Sequence, residues 1–130
     1  MKIMIVDDCM TTRKLIGIYL KAKGFEIVFA ENGLDAMEKL ATNKINMIIT
    51  DLNMPYMDGI ELIKNLKADP NCASIPILMV TTEADPQERE RAMAAGADGY
   101  AIKPVTADMV TQNIKDILKN FFGDGGVSDA

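Results

Sequence analysis

Asp51 follows the apolar run Asn46-Met47-Ile48-Ile49-Thr50 and precedes Leu52-Asn53-Met54-Pro55-Tyr56-Met57-Asp58-Gly59. Three other short apolar runs end in residues with usable chemistry. Ile3-Met4-Ile5-Val6 ends in Asp7-Asp8, Ile77-Leu78-Met79-Val80 in Thr81-Thr82, and Tyr100-Ala101-Ile102 in Lys103-Pro104. If these runs are parallel strands, their carboxyl ends share one sheet edge, where open α/β sheets bind ligands. Three carboxylates gathered there repel, each pair by about 4 kcal/mol at roughly 4 Å and an effective dielectric near 20. Either one acid is protonated or a cation is bound. Mg²⁺ suits the second remedy, since it takes one or two carboxylates and favours phosphate oxygens as further ligands. Lys103 adds a compact positive charge and Thr81 a hydrogen-bond donor. A nucleophilic carboxylate, a metal, an ammonium and a hydroxyl are what phosphoryl transfer to an aspartate requires.

Taken singly, each residue has a plainer reading. Asp7-Asp8 could be a solvated turn that caps a helix. Asp51 could be a loop acid, Thr81 or Thr82 a strand-end threonine, and Lys103 a surface lysine. The joint reading stands because four coincidences must fall on one edge. The ten methionines are read as core filler. Cys9 is read as a small buried residue and not as a nucleophile.

The elements that would position this set alternate apolar strand and amphipathic helix five times, which implies a parallel sheet with helices on both faces. The expected strands are Ile3–Val6, Phe25–Ala30, Met47–Thr50, Ile77–Val80 and Gly99–Ile102. The first helix is expected over Met10–Lys23 with Leu15, Ile18, Tyr19 and Ala22 inward and Gly24 as C-cap. The second runs from the N-cap Asn32 to about Thr42, with Leu34, Met37, Leu40 and Ala41 inward. The third follows the Met54–Gly59 loop, turns Ile60, Ile63 and Leu66 inward, and stops before Pro70. Asp85-Pro86-Gln87-Glu88 opens the fourth as a capping box with proline in the first turn, and Gly96 caps it after Ala95. The fifth spans Ala107–Phe122, with Val110, Ile114, Ile117, Leu118 and Phe121 on one stripe. Residues 1–122 are thus expected to form one domain, and 123–130, glycine-rich and polar, a frayed tail.

Composition narrows the function classes. The chain has 130 residues, 48% apolar and 25% charged, as expected for one soluble globular domain. A formal net charge of −5 and the lack of a basic run argue against nucleic acid and anionic membranes as partners. No apolar stretch approaches the ~18 residues of a membrane span. Met1-Lys2-Ile3 enters a strand at once, without room for a signal peptide, so the chain reads as cytoplasmic. With no histidine and two distant cysteines, Ser-His-Asp triads, zinc sites and Cys-x-x-Cys redox chemistry are excluded.

Four stretches carry a resemblance: Ile5-Val6-Asp7-Asp8; Asp51 through Gly59; Met79-Val80-Thr81-Thr82-Glu83-Ala84; and Ala95-Gly96-Ala97-Asp98-Gly99-Tyr100 through Lys103-Pro104. Over about residues 2–121 the sequence resembles a response-regulator receiver domain, especially the stand-alone, CheY-like chemotaxis type. The resemblance implies a doubly wound, flavodoxin-like (βα)5 fold with strand order 2-1-3-4-5. It implies that Asp51 accepts phosphate from the phosphohistidine of a partner histidine kinase. Asp8, Asp51 and the backbone carbonyl of Asn53 would ligate Mg²⁺, with Asp7 acting through water. Thr81 and Lys103 would contact the phosphoryl oxygens, and the Lys103–Pro104 peptide would be cis. Tyr100 would be the aromatic switch, turning inward as Thr81 moves. The output face for a downstream protein would be the fourth helix, fifth strand and fifth helix of a monomer. Asn53 and Glu83 match the pair that accompanies fast self-dephosphorylation. Cys9 and Leu52 depart from the chemotaxis pattern, which has phenylalanine and tryptophan there.

Other classes fit less well. A phosphatase of the haloacid-dehalogenase kind would need an Asp-x-Asp loop, but Asp51 is followed by Leu52-Asn53. A flavodoxin-like FMN binder would need a phosphate-cradling loop where Asp7-Asp8 would repel the phosphate. The intact acid set argues against an inactive interaction module. Within the receiver class, chemotaxis output, a phosphorelay intermediate and a fragment of a longer regulator remain open.

Overall fold

The computed structural model describes residues 1–122. The expected tail, 123–130, lies outside the described residues. The elements are β1 (Lys2–Val6), α1 (Met10–Ala22), β2 (Glu26–Ala30), α2 (Gly33–Leu40), β3 (Met47–Thr50), α3 (Gly59–Ala68), β4 (Ile77–Thr81), α4 (Pro86–Ala95), β5 (Gly99–Ile102) and α5 (Ala107–Phe122). All five strands pair in parallel in the order β2-β1-β3-β4-β5. This is the doubly wound, flavodoxin-like arrangement the sequence implied.

Helices on both faces leave β3 and β4 buried throughout, which is why they read as unbroken apolar runs. Successive side chains still point to opposite faces. Ile3, Ile5, Met47, Ile49, Leu78 and Val80 pack against α1 and α5. Met4, Val6, Ile48, Ile77 and Met79 pack against α2, α3 and α4.

Local chemistry sets the helix ends. The Asn32 side chain accepts the Asp35 N–H (2.8 Å), Asp58 that of Glu61 (2.8 Å) and Asp85 that of Gln87 (2.9 Å). Such caps satisfy donors that the first turn leaves free. The expected capping box is half formed, because the Asp85 N–H donates to Glu83 Oε1 at 3.0 Å while Glu88 pairs with Arg91. Gly24 and Gly96 sit at φ +92° and +126° after α1 and α4, a region that side chains with a Cβ avoid. The Lys103–Pro104 peptide is cis.

Three inward faces differ from expectation. On α1 the buried residues are Arg13, Ile16, Gly17 and Leu20, while Leu15 and Ile18 are exposed. Both stripes are mostly apolar, and the seating follows Gly17, where a Cβ would come within 2.6 Å of the Phe29 ring. Any larger residue there would have to displace the Phe29 ring. On α2, Met37 and Leu40 pack as expected, but Ala36 is the buried residue and Leu34 and Ala41 are exposed. On α5, Phe121 is exposed beyond the buried Val110, Ile114, Ile117 and Leu118. Core filling holds for Met4, Met47, Met57 and Met79, but Met1, Met10, Met93 and Met109 are exposed.

Gly59 opens α3 against the strand before it. Its N–H donates to the Leu52 carbonyl at 2.7 Å, and a Cβ there would collide with the Asp51 carbonyl oxygen. Because that neighbour is backbone, it cannot yield by rotating. Gly59→Ala is expected to lower stability by about 3 kcal/mol, read as a lower urea midpoint at unchanged slope.

Candidate functional site

Parallel register delivers the reactive side chains to one edge. Val6 pairs with both Ala30 and Thr50, Thr50 with Met79, and Thr81 with Ile102. The ladder runs one residue further at the same edge. The Asp7 N–H donates to Ala30 (3.2 Å), the Asp51 N–H to Val6 (3.0 Å) and the Lys103 N–H to Thr81 (2.7 Å). Backbone hydrogen bonding thus anchors both buried acids and the lysine before any side chain interacts.

Carboxylate oxygens of Asp7, Asp8 and Asp51 lie within 4.8 Å of one another. Asp7 and Asp51 are buried and Asp8 is exposed. Lys103 Nζ bridges the two buried acids, at 2.8 Å from Asp7 Oδ2 and 3.0 Å from Asp51 Oδ2. Their other oxygens accept backbone N–H groups, Asp7 from Cys9 at 2.8 Å and Asp51 from Leu52 at 2.7 Å. Burial raises the Asp7 pKa above the ordinary carboxylate value despite the Lys103 and Cys9 hydrogen bonds. Burial acts to lower Lys103, but hydrogen bonds to Asp7 and Asp51 and their charges outweigh it and leave Lys103 raised. One ammonium does not neutralise three carboxylates. The donors are all hard oxygens, with one acid open to solvent, a set that fits Mg²⁺ and not a soft transition metal.

The remaining candidates surround this cluster. Thr81 is fully buried at the end of β4, and its hydroxyl accepts the Glu83 N–H at 3.3 Å. Half-buried Tyr100 donates its hydroxyl to the Glu83 carbonyl at 2.7 Å. Burial raises the Tyr100 phenol pKa, with the charge of Glu83 adding to it. Asn53 is exposed on the loop between β3 and α3. Cys9, expected inside, is exposed. As N-cap of α1 it faces solvent where the chain leaves the sheet.

Sequence reasoning missed two supports. Arg13 is buried and donates from Nη1 to the Asp7 carbonyl at 2.6 Å, pinning the turn that carries Asp8. Its signal was its place on the stripe of Ile16, Gly17 and Leu20, one and two turns ahead. Met57 is buried against α2, where a Cβ on Gly33 would come within 2.6 Å of its sulfur. That contact fastens the Asn53-bearing loop to α2 and has no short-range sequence signal.

A response regulator receiver domain model matches residues 3–115. The chain belongs to the response-regulator receiver family. This receiver is 38% identical over 127 residues to a chemotaxis protein CheY homolog of Campylobacter jejuni subsp. jejuni, covering 96% of this chain and 98% of that one. The solved chemotaxis protein CheY4 of Vibrio cholerae superposes with a TM-score of 0.86 at 32% identity, covering 90% of this receiver and 98% of that chain. A receiver domain of a histidine kinase from Syntrophus aciditrophicus superposes at 0.84 with 30% identity, over 93% and 92% of the two chains. No helix of the described residues is long and apolar enough to cross a membrane.

The raised Asp7 pKa has a stability consequence. Stability from its protonated form is fully present below the ordinary value of 3.8 and is lost as pH rises through the folded value. Above the folded value, Asp7 is ionised at the cost of its desolvation. Asp7→Asn, which cannot ionise but leaves Lys103 paired with Asp51, is expected to have a higher urea midpoint than the parent at pH 7 in EDTA. The gap should close in urea melts as pH falls towards 3.8.

Proposed function

We propose that this receiver is a single-domain response regulator of the chemotaxis type. It accepts a phosphoryl group on Asp51 from a histidine kinase, with Mg²⁺, and signals by phosphorylation-dependent protein binding. The observation that carries the reading is Asp51 itself, a buried carboxylate held 3.0 Å from Lys103 beside Asp7 and Asp8. The near full-length match to a chemotaxis protein homolog supports the chemotaxis role over a phosphorelay intermediate or a fragment of a longer regulator.

In the transfer step an Asp51 carboxylate oxygen attacks phosphorus while the phosphorus–nitrogen bond of the phosphohistidine breaks and the imidazole departs with that electron pair. Asp8, Asp51 and the Asn53 carbonyl would hold Mg²⁺, with Asp7 acting through water. When bound, the metal would neutralise charge on the phosphoryl oxygens. Lys103, 3.0 Å from Asp51, supplies a second positive charge. These 130 residues carry no histidine, so the phosphohistidine lies outside them. The receiver catalyses only its own phosphorylation and dephosphorylation, and it acts as a cytoplasmic monomer. An aspartate-nucleophile phosphatase fits less well, because Leu52-Asn53 follow Asp51 in place of an x-Asp pair.

Switching follows from a short chain of contacts. The Thr81 hydroxyl accepts the Glu83 N–H, and the Glu83 carbonyl accepts the Tyr100 hydroxyl. A phosphoryl group that draws Thr81 towards it disturbs the first bond and, through residue 83, the second. Full switching takes about 5.5 kcal/mol of difference between states, within reach of a few charge-assisted hydrogen bonds that exist in one state only. Tyr100 carries the change to the face of α4, β5 and α5, where the downstream protein binds.

Incubation with labelled acetyl phosphate and Mg²⁺ tests the site. The parent protein should take up one phosphoryl group, and EDTA or Asp51→Asn should reduce incorporation to background. Label on the Asp51→Asn protein would refute the assignment. In a separate chase, the Asn53 and Glu83 pair predicts loss of the phosphoryl group within seconds to minutes, and a lifetime of hours would contradict that part.

A further inference from the structure

Tyr56 sits in the left-handed region, at φ +70°, and is the one non-glycine residue with positive φ among the described residues. The residue is 84% exposed. Its neighbours explain the backbone. Met57 is buried against Gly33, Asp58 caps α3, and Gly59 is tied to Leu52. Across residue 56 itself, the Met57 N–H donates to the Pro55 carbonyl at 2.8 Å, closing a tight turn at positive φ, which glycine or asparagine tolerates better than a bulky aromatic. The chain therefore carries a strained residue whose large ring gains no burial in return. Strain kept at such a position points to contacts outside the chain.

The position of the ring says which contacts. Gly59 packs on the Asp51 carbonyl, and three residues of chain reach at most about 11 Å. Pro55, next to Tyr56, lines a shallow groove with Asp8 and Met10. A standard protein interface covers about 800 Å² per partner, a disc of roughly 16 Å radius. Asp51 is 9% exposed, so a protein delivering a phosphoryl group must seat itself over this rim, and its footprint takes in Tyr56. The rim also exposes Met10 and the acids Asp8, Glu31 and Asp58. An aromatic face among acids suits a basic side chain beside the donor's phosphohistidine.

We infer that Tyr56 is a docking residue for the phosphohistidine-bearing donor protein and takes no part in the phosphoryl chemistry. This rests on the proposed function, and two donors separate the two readings. Acetyl phosphate reaches Asp51 without docking. The protein donors are the host's histidine kinases, each autophosphorylated with ATP and assayed in turn, the fastest on the parent chain being kept. Tyr56→Asn should raise the urea midpoint, because asparagine relaxes the backbone. It should leave labelling by acetyl phosphate within about twofold of the parent and lower kcat/KM for transfer from the kinase about tenfold or more. Tyr56→Phe should retain most of the kinase rate. Equal loss with both donors would overturn the inference, since Tyr56 would then act through the geometry of the site. Unchanged transfer from the kinase would overturn it too, and lost binding of a beryllofluoride-dependent target in that case would give the ring to a different occupant. Failure of the parent to label with acetyl phosphate would remove the proposed function, and this inference with it.

Discussion

Mutual repulsion of three carboxylates is the constraint around which the rest of the molecule is arranged. Asp7 and Asp51 end adjacent strands, so the sheet sets their separation and neither can withdraw without breaking its ladder hydrogen bond. The compensating charge comes from the far side of β4. Neighbouring strands are about 4.8 Å apart, so a group on β5 must cross two spacings to reach the Asp51 strand and three to reach that of Asp7. The long lysine stem does this, and Lys103 holds both acids. Thr81, on the intervening strand, needs only a short side chain. Residue type at each strand end thus follows from distance to the centre.

The surrounding structure keeps that strained centre in place. Arg13 holds the carbonyl of Asp7, and Gly59 brings α3 against the carbonyl of Asp51. Met57 against Gly33 fastens the intervening loop to α2. Breaking a buried ion pair by removing one partner is costly because the other charge stays behind. A ligand that supplies new partners for Lys103 and Thr81 can move them at much lower cost. The site is thereby rigid in position, while Lys103 and Thr81 are held by hydrogen bonds that a ligand could replace. The positive φ of Tyr56 follows from the same rigidity, since anchors on either side of it impose that backbone.

Much of this was legible in the chain. Strands β3 and β5 begin and end where expected, and the others differ by a residue. Strand ends are marked by an abrupt change from apolar to charged side chains, a local property. Asn32 and Asp85 were legible as caps for the same reason. The acids and Lys103 converged because parallel topology sends every strand end to one edge. What failed were choices between equivalent local patterns. Helix α1 carries two apolar stripes, and the presence of Leu15 and Ile18 could not reveal that Gly17 meets Phe29. Cys9 is small and sulfur-bearing, which favours burial on average, but it sits at the N-cap position of α1 beside the open acid Asp8.

The sequence by itself determined the alternation of elements, the caps, and the chemistry offered at each strand end, because these depend on neighbours within a few residues. Tertiary structure decided which face of α1 is buried, that Arg13 supports Asp7, that Met57 holds the loop to Gly33, and that Tyr56 is strained and exposed. Each of these joins residues distant along the chain whose close approach depends on shape. Shape complementarity between distant segments leaves no periodic signature, whereas the hydrophobic effect and hydrogen-bond capping do.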